Sequence, residues 1–205
     1  MDCLLTGIVA GLDEAGRGPL AGPVISSCIA WQGLPGVRAP VNDSKLLSER
    51  QRKSLFPWIL TNAYRVGVGL ATPREIEELN IHNATLLSME RALKAARITM
   101  DLILVDGLFA VPSYSNCKTL VKGDGKCFFI ACASIVAKVV RDDMMEKYDD
   151  LYPQYLFKKN KGYPTEEHKE AIRTHGPSPI HRKTFRGVKE IVNANSDVNH
   201  RTCTH

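Results

Sequence analysis

The sequence lacks a hydrophobic run that could cross a membrane, and it lacks the basic start of a signal peptide. The longest uncharged stretch, 18–37, contains four glycines, three prolines, two serines and a glutamine, so it cannot form a helix of about 20 apolar residues. The first basic residue is Arg17, and Asp2 lies near the start. We therefore expect a cytoplasmic protein that makes no membrane contact.

Paired cysteines are also missing. The six cysteines form no CxxC pair, and none lies at zinc-finger spacing from the six histidines. We expect free, mostly buried thiols rather than a zinc site or a disulfide framework. Hydrophobic residues make up 44% and charged residues 24% of the 205, which is typical of a folded globular protein and argues against extensive disorder.

The net charge of +5 is concentrated near the C-terminus. Residues 151–189 hold nine Lys or Arg and three Glu, a net charge of +6, so +5 minus +6 leaves −1 for the other 166 residues. A charge run of this kind forms either a solvated face or a surface that binds phosphate groups.

Apolar patterns predict an alternation of strands and helices. Five strands are expected, at 8–12, 23–31, 64–71, 102–105 and 117–121. Capping residues and helical periodicity predict helices at 48–60, 81–96 and 127–148, a further helix start at Thr72, a short basic helix after Thr165 and a last helix at 187–192. No repeat or linker divides the chain, so we expect one α/β domain over 1–193, with a mixed sheet and packed helices, followed by a flexible polar tail at 194–205.

Acidic residues follow three of the predicted strands. Asp13 and Glu14 follow the first, Asp106 the fourth, and Asp124 comes soon after the fifth. Adjacent residues on a strand point to opposite faces, so Asp13 and Glu14 can share a site only if the strand ends or bulges there. Four carboxylates at one sheet edge repel one another unless a cation binds. Oxygen ligands without Cys or His select Mg²⁺ or Mn²⁺, and two such ions are a common apparatus for phosphodiester hydrolysis.

The glycine-rich segment 11–18 differs from a nucleotide triphosphate loop. It has the two glycines of GxxxxGK, but Arg17 stands at the lysine position and Gly18 at the Ser or Thr position. Gly16, Arg17 and Gly18 instead suit a turn whose bare backbone approaches a sugar or phosphate closely, with Arg17 making a charge-assisted contact.

Seven motifs of the chain resemble, in order and spacing, those of bacterial ribonuclease HII. They are DEAGRGPLAGPV (13–24), NDSKLLS (42–48), VDG (105–107), KGD (122–124), ASIVAKVVRD (133–142), KGYPTEEH (161–168) and HRKTF (181–185). The resemblance covers about residues 7–189 and implies an RNase H-like mixed sheet flanked by helices, with a C-terminal helical extension at about 151–193. It also implies hydrolysis of the RNA strand of RNA–DNA hybrids and incision 5′ of ribonucleotides embedded in duplex DNA, leaving 3′-hydroxyl and 5′-phosphate ends.

The same resemblance assigns site residues. The catalytic acids, which bind two Mg²⁺ or Mn²⁺ ions, match Asp13, Glu14, Asp106 and Asp124. The loop that senses the ribonucleotide 2′-hydroxyl and its phosphates matches Gly16, Arg17 and Gly18. The tyrosine that stacks on the sugar of the following deoxynucleotide matches Tyr163. We also expect three basic residues to bind substrate, namely Lys45, Lys161 and Arg182, and the basic extension to contact the duplex backbone of a monomeric enzyme.

Two other functions remain open at this point. One is a metal-dependent DNA repair or junction endonuclease on the same fold, whose carboxylates would look the same. The other is a non-catalytic module that binds hybrids, in which the acids are structural. The segment 16–18 and Tyr163 distinguish a ribonuclease H from the DNA endonuclease. Cleavage of a hybrid in Mg²⁺ or Mn²⁺ would distinguish an enzyme from the non-catalytic module.

Overall fold

A mixed five-stranded sheet forms the centre of the structure, a computed structural model that describes residues 7–33 and 47–194. The strands are β1 (Ile8–Ala15), β2 (Val24–Gln32), β3 (Arg65–Ala71), β4 (Leu102–Asp106) and β5 (Cys117–Leu120). Their spatial order is β3-β2-β1-β4-β5. The pairs β1–β2 and β2–β3 are antiparallel, whereas β1, β4 and β5 run parallel, so the predicted mixed sheet is confirmed.

Helices follow or separate the strands much as the sequence predicts. They are α1 (Glu49–Asn62), α2 (Pro73–Ala96), α3 (Phe128–Leu151), α4 (Phe157–Asn160) and α5 (Glu166–His175), and residues 189–194 are also helical. Ser48 and Thr72 both form capping boxes, which explains why α1 and α2 begin where they do. None of the helices in the described ranges has the length and apolar character needed to cross a bilayer.

The two faces of the sheet are covered by different helices. Ala10 and Leu12 of β1 point into an apolar cluster with α2, and Val9 points into one with the first half of α3. The predicted burial of that half is confirmed. Gly11 permits the close approach of α3, because a Cβ there would fall on the backbone of Phe129.

Helix α2 contains a break that the sequence anticipated as two separate helix starts. Asn80 has a left-handed φ of 66°, and its Oδ1 accepts hydrogen bonds from the backbone N–H groups of His82 and Asn83 at 2.9 and 3.1 Å. Asn80 therefore caps the second half of the helix, which begins at residue 81 as expected.

Strand β1 is longer than the sequence predicts. It continues to Ala15, paired residue for residue with β2 as far as Ile25, without a bulge. Strand β4, on its other side, pairs only as far as Leu12 with Val105. The last three residues of β1 therefore have a neighbour on one side only.

The C-terminal part packs on the end of α3 through a separate apolar cluster. This cluster includes Leu20 from the β1–β2 connection, Met145 from α3, and Tyr155, Phe157 and Ile172 from the extension. The C-terminal extension therefore packs against the connection between β1 and β2. Lys45 and almost all of the predicted tail, residues 195–205, lie outside the described residues, so the single-domain boundary and the flexible tail stay predictions. The four cysteines within the described residues are free thiols.

The contact at Gly11 yields a stability test. Gly11→Ala should lower the free energy of unfolding by about 2–3 kcal/mol, because the added methyl must displace helix backbone. The matched control is Gly18→Ala, where a Cβ meets only the Tyr163 ring at 3.9 Å. Urea denaturation measures both, and equal stabilities of the two variants would contradict the close packing.

Candidate active site

Three carboxylates lie at the carboxyl ends of β1 and β4. Asp13 is buried, with 4% exposure, and points toward α3, where Ser134 hydrogen-bonds to it. Glu14 points to the opposite face and lines a cavity with Asp106. Asp106 is fixed in place because its Oδ1 accepts a 2.7 Å hydrogen bond from the N–H of Gly123.

The open edge of β1 places Asp13 and Glu14 near Asp106. Strand β1 neither bulges nor ends at these two residues but continues to Ala15, whereas its pairing with β4 ends at Leu12 and Val105. Both side chains therefore lie close enough to Asp106 to interact with its charge from opposite faces of β1, and a site shared by all three stays a prediction.

The electrostatics of the cluster favour uptake of positive charge. Burial raises the pKa of Asp13 well above its usual range, and the charges of Glu14 and Asp106 add to the rise. Burial also raises the pKa of Glu14, against the opposing effect of Arg17, whose guanidinium lies 3.2 Å from Glu14 Oε1. The other oxygen, Oε2, is buried and has no hydrogen-bond partner among the described residues. Each observation indicates a cluster that would be stabilised by a bound cation.

The residues present fit a hard divalent ion. Asp13, Glu14 and Asp106 offer carboxylate oxygens only, the ligand set that Mg²⁺ and Mn²⁺ prefer. Asp124, with 2% exposure, lies in the 3-10 turn Gly123–Gly125 next to the residue that holds Asp106. Within residues 7–33 and 47–194, no three His, Cys, Asp or Glu side chains are already arranged closely enough to enclose an ion.

Two buried arginines hold the segment 16–23 in place. Arg182 donates to the carbonyl oxygens of Gly16, Arg17 and Gly22, with Nε lying 2.9 Å from the last. Arg141 of α3 donates to the carbonyls of three more residues, and these are Ala21, Pro23 and Lys161, at 2.9–3.1 Å. Both guanidinium groups are fully buried. Gly16 has φ of 100°, and a Cβ there would collide with Arg141, so this position requires glycine.

A groove connects Glu14 to Tyr163. Its lining includes Glu14, Gly16, Arg52, Ser134, Lys138 and Tyr163. The Tyr163 ring is 41% exposed, lies beside Gly18, and has Lys138 Nζ 5.7 Å from its centroid. Glu14, the segment 16–18 and Tyr163 are thus brought together on one surface.

The remaining basic residues are placed differently from what the charge count indicated. Arg182 does not face solvent, because its three nitrogens all bond to buried carbonyls. Lys161 is mostly buried, and its Nζ forms a 2.7 Å ion pair with Glu146. On α5, Lys169 and Arg173 pair with neighbouring glutamates. Much of the local positive charge is therefore compensated within the protein.

Sequence reasoning missed Ser134 and Lys138. Both lie on α3 one helical turn apart, and Ser134 touches Asp13 while Lys138 faces Tyr163. Their i, i+4 spacing in the motif 133–142, as polar residues within an apolar helix, was the pattern that could have revealed them.

Acidic side chains at the carboxyl ends of neighbouring parallel strands, beside a groove with cationic residues, are the arrangement expected of a metal-dependent nuclease of RNase H-like fold. A family model described as Ribonuclease HII matches residues 10–188. The Ribonuclease HII of Syntrophotalea carbinolica is 48% identical over 187 residues, which cover 90% of this chain and 88% of that protein. The chain belongs to the ribonuclease HII family, and it is therefore a ribonuclease H, an endonuclease of a family that acts on RNA–DNA hybrids.

Solved structures agree with this assignment. Ribonuclease H2 from Pyrococcus horikoshii OT3 superposes with a TM-score of 0.75 at 29% identity, covering 91% of this chain and 98% of that one. Bst-RNase HIII in complex with Mn²⁺ superposes with a TM-score of 0.72, covering 95% and 72%; at 17% identity it shows the fold alone. Family membership favours an enzyme over the non-catalytic module.

The buried position of Arg182 yields a second stability test. Arg182→Met keeps the apolar stem but leaves the carbonyls of Gly16, Arg17 and Gly22 without their donors, which should cost about 3 kcal/mol of unfolding free energy. Lys183→Met, a neighbouring exposed cation, should change it by about 0.5 kcal/mol at most. Similar urea midpoints for the two proteins would show that the buried bonds do not stabilise the fold.

Proposed function

We propose that the protein incises duplex DNA 5′ of an embedded ribonucleotide, and cleaves the RNA strand of hybrids, as a monomer that uses two divalent ions. One observation carries the proposal: Glu14 lines both the cavity that contains Asp106 and the groove that contains Gly16 and Tyr163. The cleavage chemistry and the contacts that distinguish ribose from deoxyribose therefore act on the same nucleotide.

In this proposal the four carboxylates form the two metal sites. Asp13, Glu14 and Asp106 hold the ions, and Asp124 completes the second site. Bound there, divalent ions supply the nucleophilic water and the positive charge that stabilises the leaving oxygen. The Mn²⁺ complex of Bst-RNase HIII, a protein of the same fold, supports a divalent ion as such. No side-chain nucleophile is required, and the products carry 3′-hydroxyl and 5′-phosphate ends.

Recognition of the ribonucleotide depends on the segment 16–18. Arg182 occupies the carbonyls of Gly16 and Arg17, so this backbone is held in one conformation before substrate binds. The Arg17 side chain is 46% exposed and lies between Glu14 and solvent, where it can contact a phosphate. A rigid backbone beside the reacting phosphate suits discrimination of a 2′-hydroxyl from hydrogen.

The decisive experiment compares two duplexes that differ in one atom, one with a single ribonucleotide and one entirely of DNA. Only the first should be cut in Mg²⁺ or Mn²⁺, and Asp106→Asn should slow cleavage by at least about 100-fold. Asp143→Asn, an exposed acid outside the cluster, is the matched control and should cut at the wild-type rate. Equal cutting of both duplexes would instead favour a DNA repair or junction endonuclease.

Tyr163 yields a separate kinetic prediction. Tyr163→Ala removes the stacking ring and should reduce kcat/KM on the single-ribonucleotide duplex by about tenfold or more, since stacking on an aromatic side chain contributes about 1–3 kcal/mol. Tyr163→Phe should keep most of the activity. Tyr64→Ala is the control, because Tyr64 is similarly exposed but lies just before β3, where its N–H donates to Ala30 near the other end of β2. Unchanged kinetics in Tyr163→Ala would exclude the stacking contact.

The raised pKa values of Asp13 and Glu14 predict that metal binding is linked to protons. These carboxyls bind protons more readily than ordinary ones, so Mn²⁺ affinity should fall as the pH is lowered from about 7.5 to about 5.5, with protons released on binding. Calorimetric titrations in two buffers of different ionisation enthalpy measure this release. Affinity that is independent of pH, with no proton release, would contradict the electrostatic description of the cluster.

A further inference from the structure

Two histidines lie buried behind Tyr163, outside the carboxylate cluster. His168 of α5 and His181 are 0% and 1% exposed, and their Nε2 atoms lie 3.0 Å apart. The rings of Tyr155 and Phe157 enclose the pair, with ring centroids 4.8–6.5 Å from those of the imidazoles. Two imidazoles in hydrogen-bond contact inside an aromatic cage need a defined arrangement of protons.

The surrounding backbone determines that arrangement. The N–H of Ser178 donates to His181 Nδ1 at 2.9 Å, and the Ser178 hydroxyl lies 2.7 Å from the same nitrogen. Because the N–H can only donate, Nδ1 is the acceptor, and the proton of His181 lies on Nε2. His181 Nε2–H then donates to His168 Nε2. The proton of His168 is therefore on Nδ1, which donates to the carbonyl oxygen of Tyr163 at 2.8 Å. The result is a one-directional chain of hydrogen bonds from Ser178 to Tyr163.

The hydrogen-bond chain is complete only while the imidazole rings of His168 and His181 are both neutral. Every ring nitrogen is engaged, and a proton added to an acceptor nitrogen would face an N–H donor. Burial lowers the pKa of His168, and burial together with the neighbouring imidazole lowers the pKa of His181 to about 3. Both rings are thus neutral at neutral pH, and the hydrogen-bond direction is fixed.

The chain of hydrogen bonds ends at the backbone of Tyr163, the residue that the proposed function places against substrate. The Tyr163 carbonyl also accepts from Thr165 N–H at 2.8 Å, and the Tyr163 N–H donates to the carbonyl of Asn160 at 2.9 Å. Both backbone groups of Tyr163 are therefore held, while its ring remains exposed. His181 also pairs with Ala21 in an isolated β-bridge, next to Arg182, so residues 178–182 fix both Tyr163 and the segment 16–18.

We propose that His168 and His181 are positioning residues, which orient Tyr163 toward the substrate through this directed hydrogen-bond chain. The proposal rests on the proposed function, because it requires Tyr163 to contact the nucleic acid. Neither histidine touches substrate or the carboxylates. Their role is to set the direction of the Tyr163 ring relative to the segment 16–18.

A double-mutant cycle tests this role. His168→Phe fills the ring volume without polar atoms and should lower kcat/KM on the single-ribonucleotide duplex by about tenfold, as Tyr163→Ala does. In the Tyr163→Ala background the same change should have less than about a twofold further effect, because the side chain that it positions is absent. His168→Asn, which can keep a donor near the Nδ1 position, should recover part of the activity. His175→Gln, an exposed histidine on the same helix, is the control and should match the wild type.

The outcomes separate the two proposals. If the losses in kcat/KM of the two single variants multiply in the double variant, His168 acts on general stability and not through Tyr163. That result would overturn the positioning role but not the proposed function. Wild-type kinetics in Tyr163→Ala would remove the substrate contact and the positioning role with it. If His168→Phe does not fold, a measurement on the wild-type protein still tests the proposal. Its ¹⁵N spectra at neutral pH should show the Nδ1–H form of His168 and the Nε2–H form of His181. The opposite forms, or a charged ring, would overturn the proposal.

Discussion

The site depends on two buried guanidinium groups whose charge is compensated by backbone carbonyls. Arg141 and Arg182 together donate six hydrogen bonds to carbonyl oxygens, five of them in the connection between β1 and β2. Burial lowers the pKa of both groups, that of Arg182 to about 9, and the carbonyl acceptors compensate the cost of burying the charge. Removing either arginine leaves several buried carbonyls without donors. The connection therefore has its functional conformation only when α3 and the C-terminal extension are packed against it.

This dependence assigns distinct roles to the parts of the chain. The sheet holds Asp13, Glu14 and Asp106 at an open edge, where in the proposed function a bound ion would compensate their mutual repulsion. The extension holds the recognition elements, with Arg182 fixing the segment 16–18 and the histidine pair fixing Tyr163. Only part of the extension's positive charge is therefore exposed at the surface, and the rest is buried or paired within the protein.

The sequence predicted local features well and long-range contacts poorly. The caps at Ser48 and Thr72 depend on neighbours a few residues away, and both were predicted with their positions. Asp13 and Glu14, by contrast, were predicted to follow β1 but lie within it. The full length of β1 depends on pairing with β2, which periodicity cannot show. Arg182 was assigned to a solvent-facing basic surface because a count of charges cannot distinguish a buried guanidinium from an exposed one. Its partners lie about 160 residues earlier in the chain.

In the proposed function, one surface combines cleavage chemistry with recognition of a ribonucleotide. A crystal structure of the Asp106→Asn protein bound to duplex DNA that contains one ribonucleotide tests this combination most directly. We expect the 2′-hydroxyl within about 3.2 Å of a backbone or side-chain group of residues 16–18, and the next deoxyribose against the Tyr163 ring. A ribonucleotide bound away from this segment, with Tyr163 facing solvent, would contradict it.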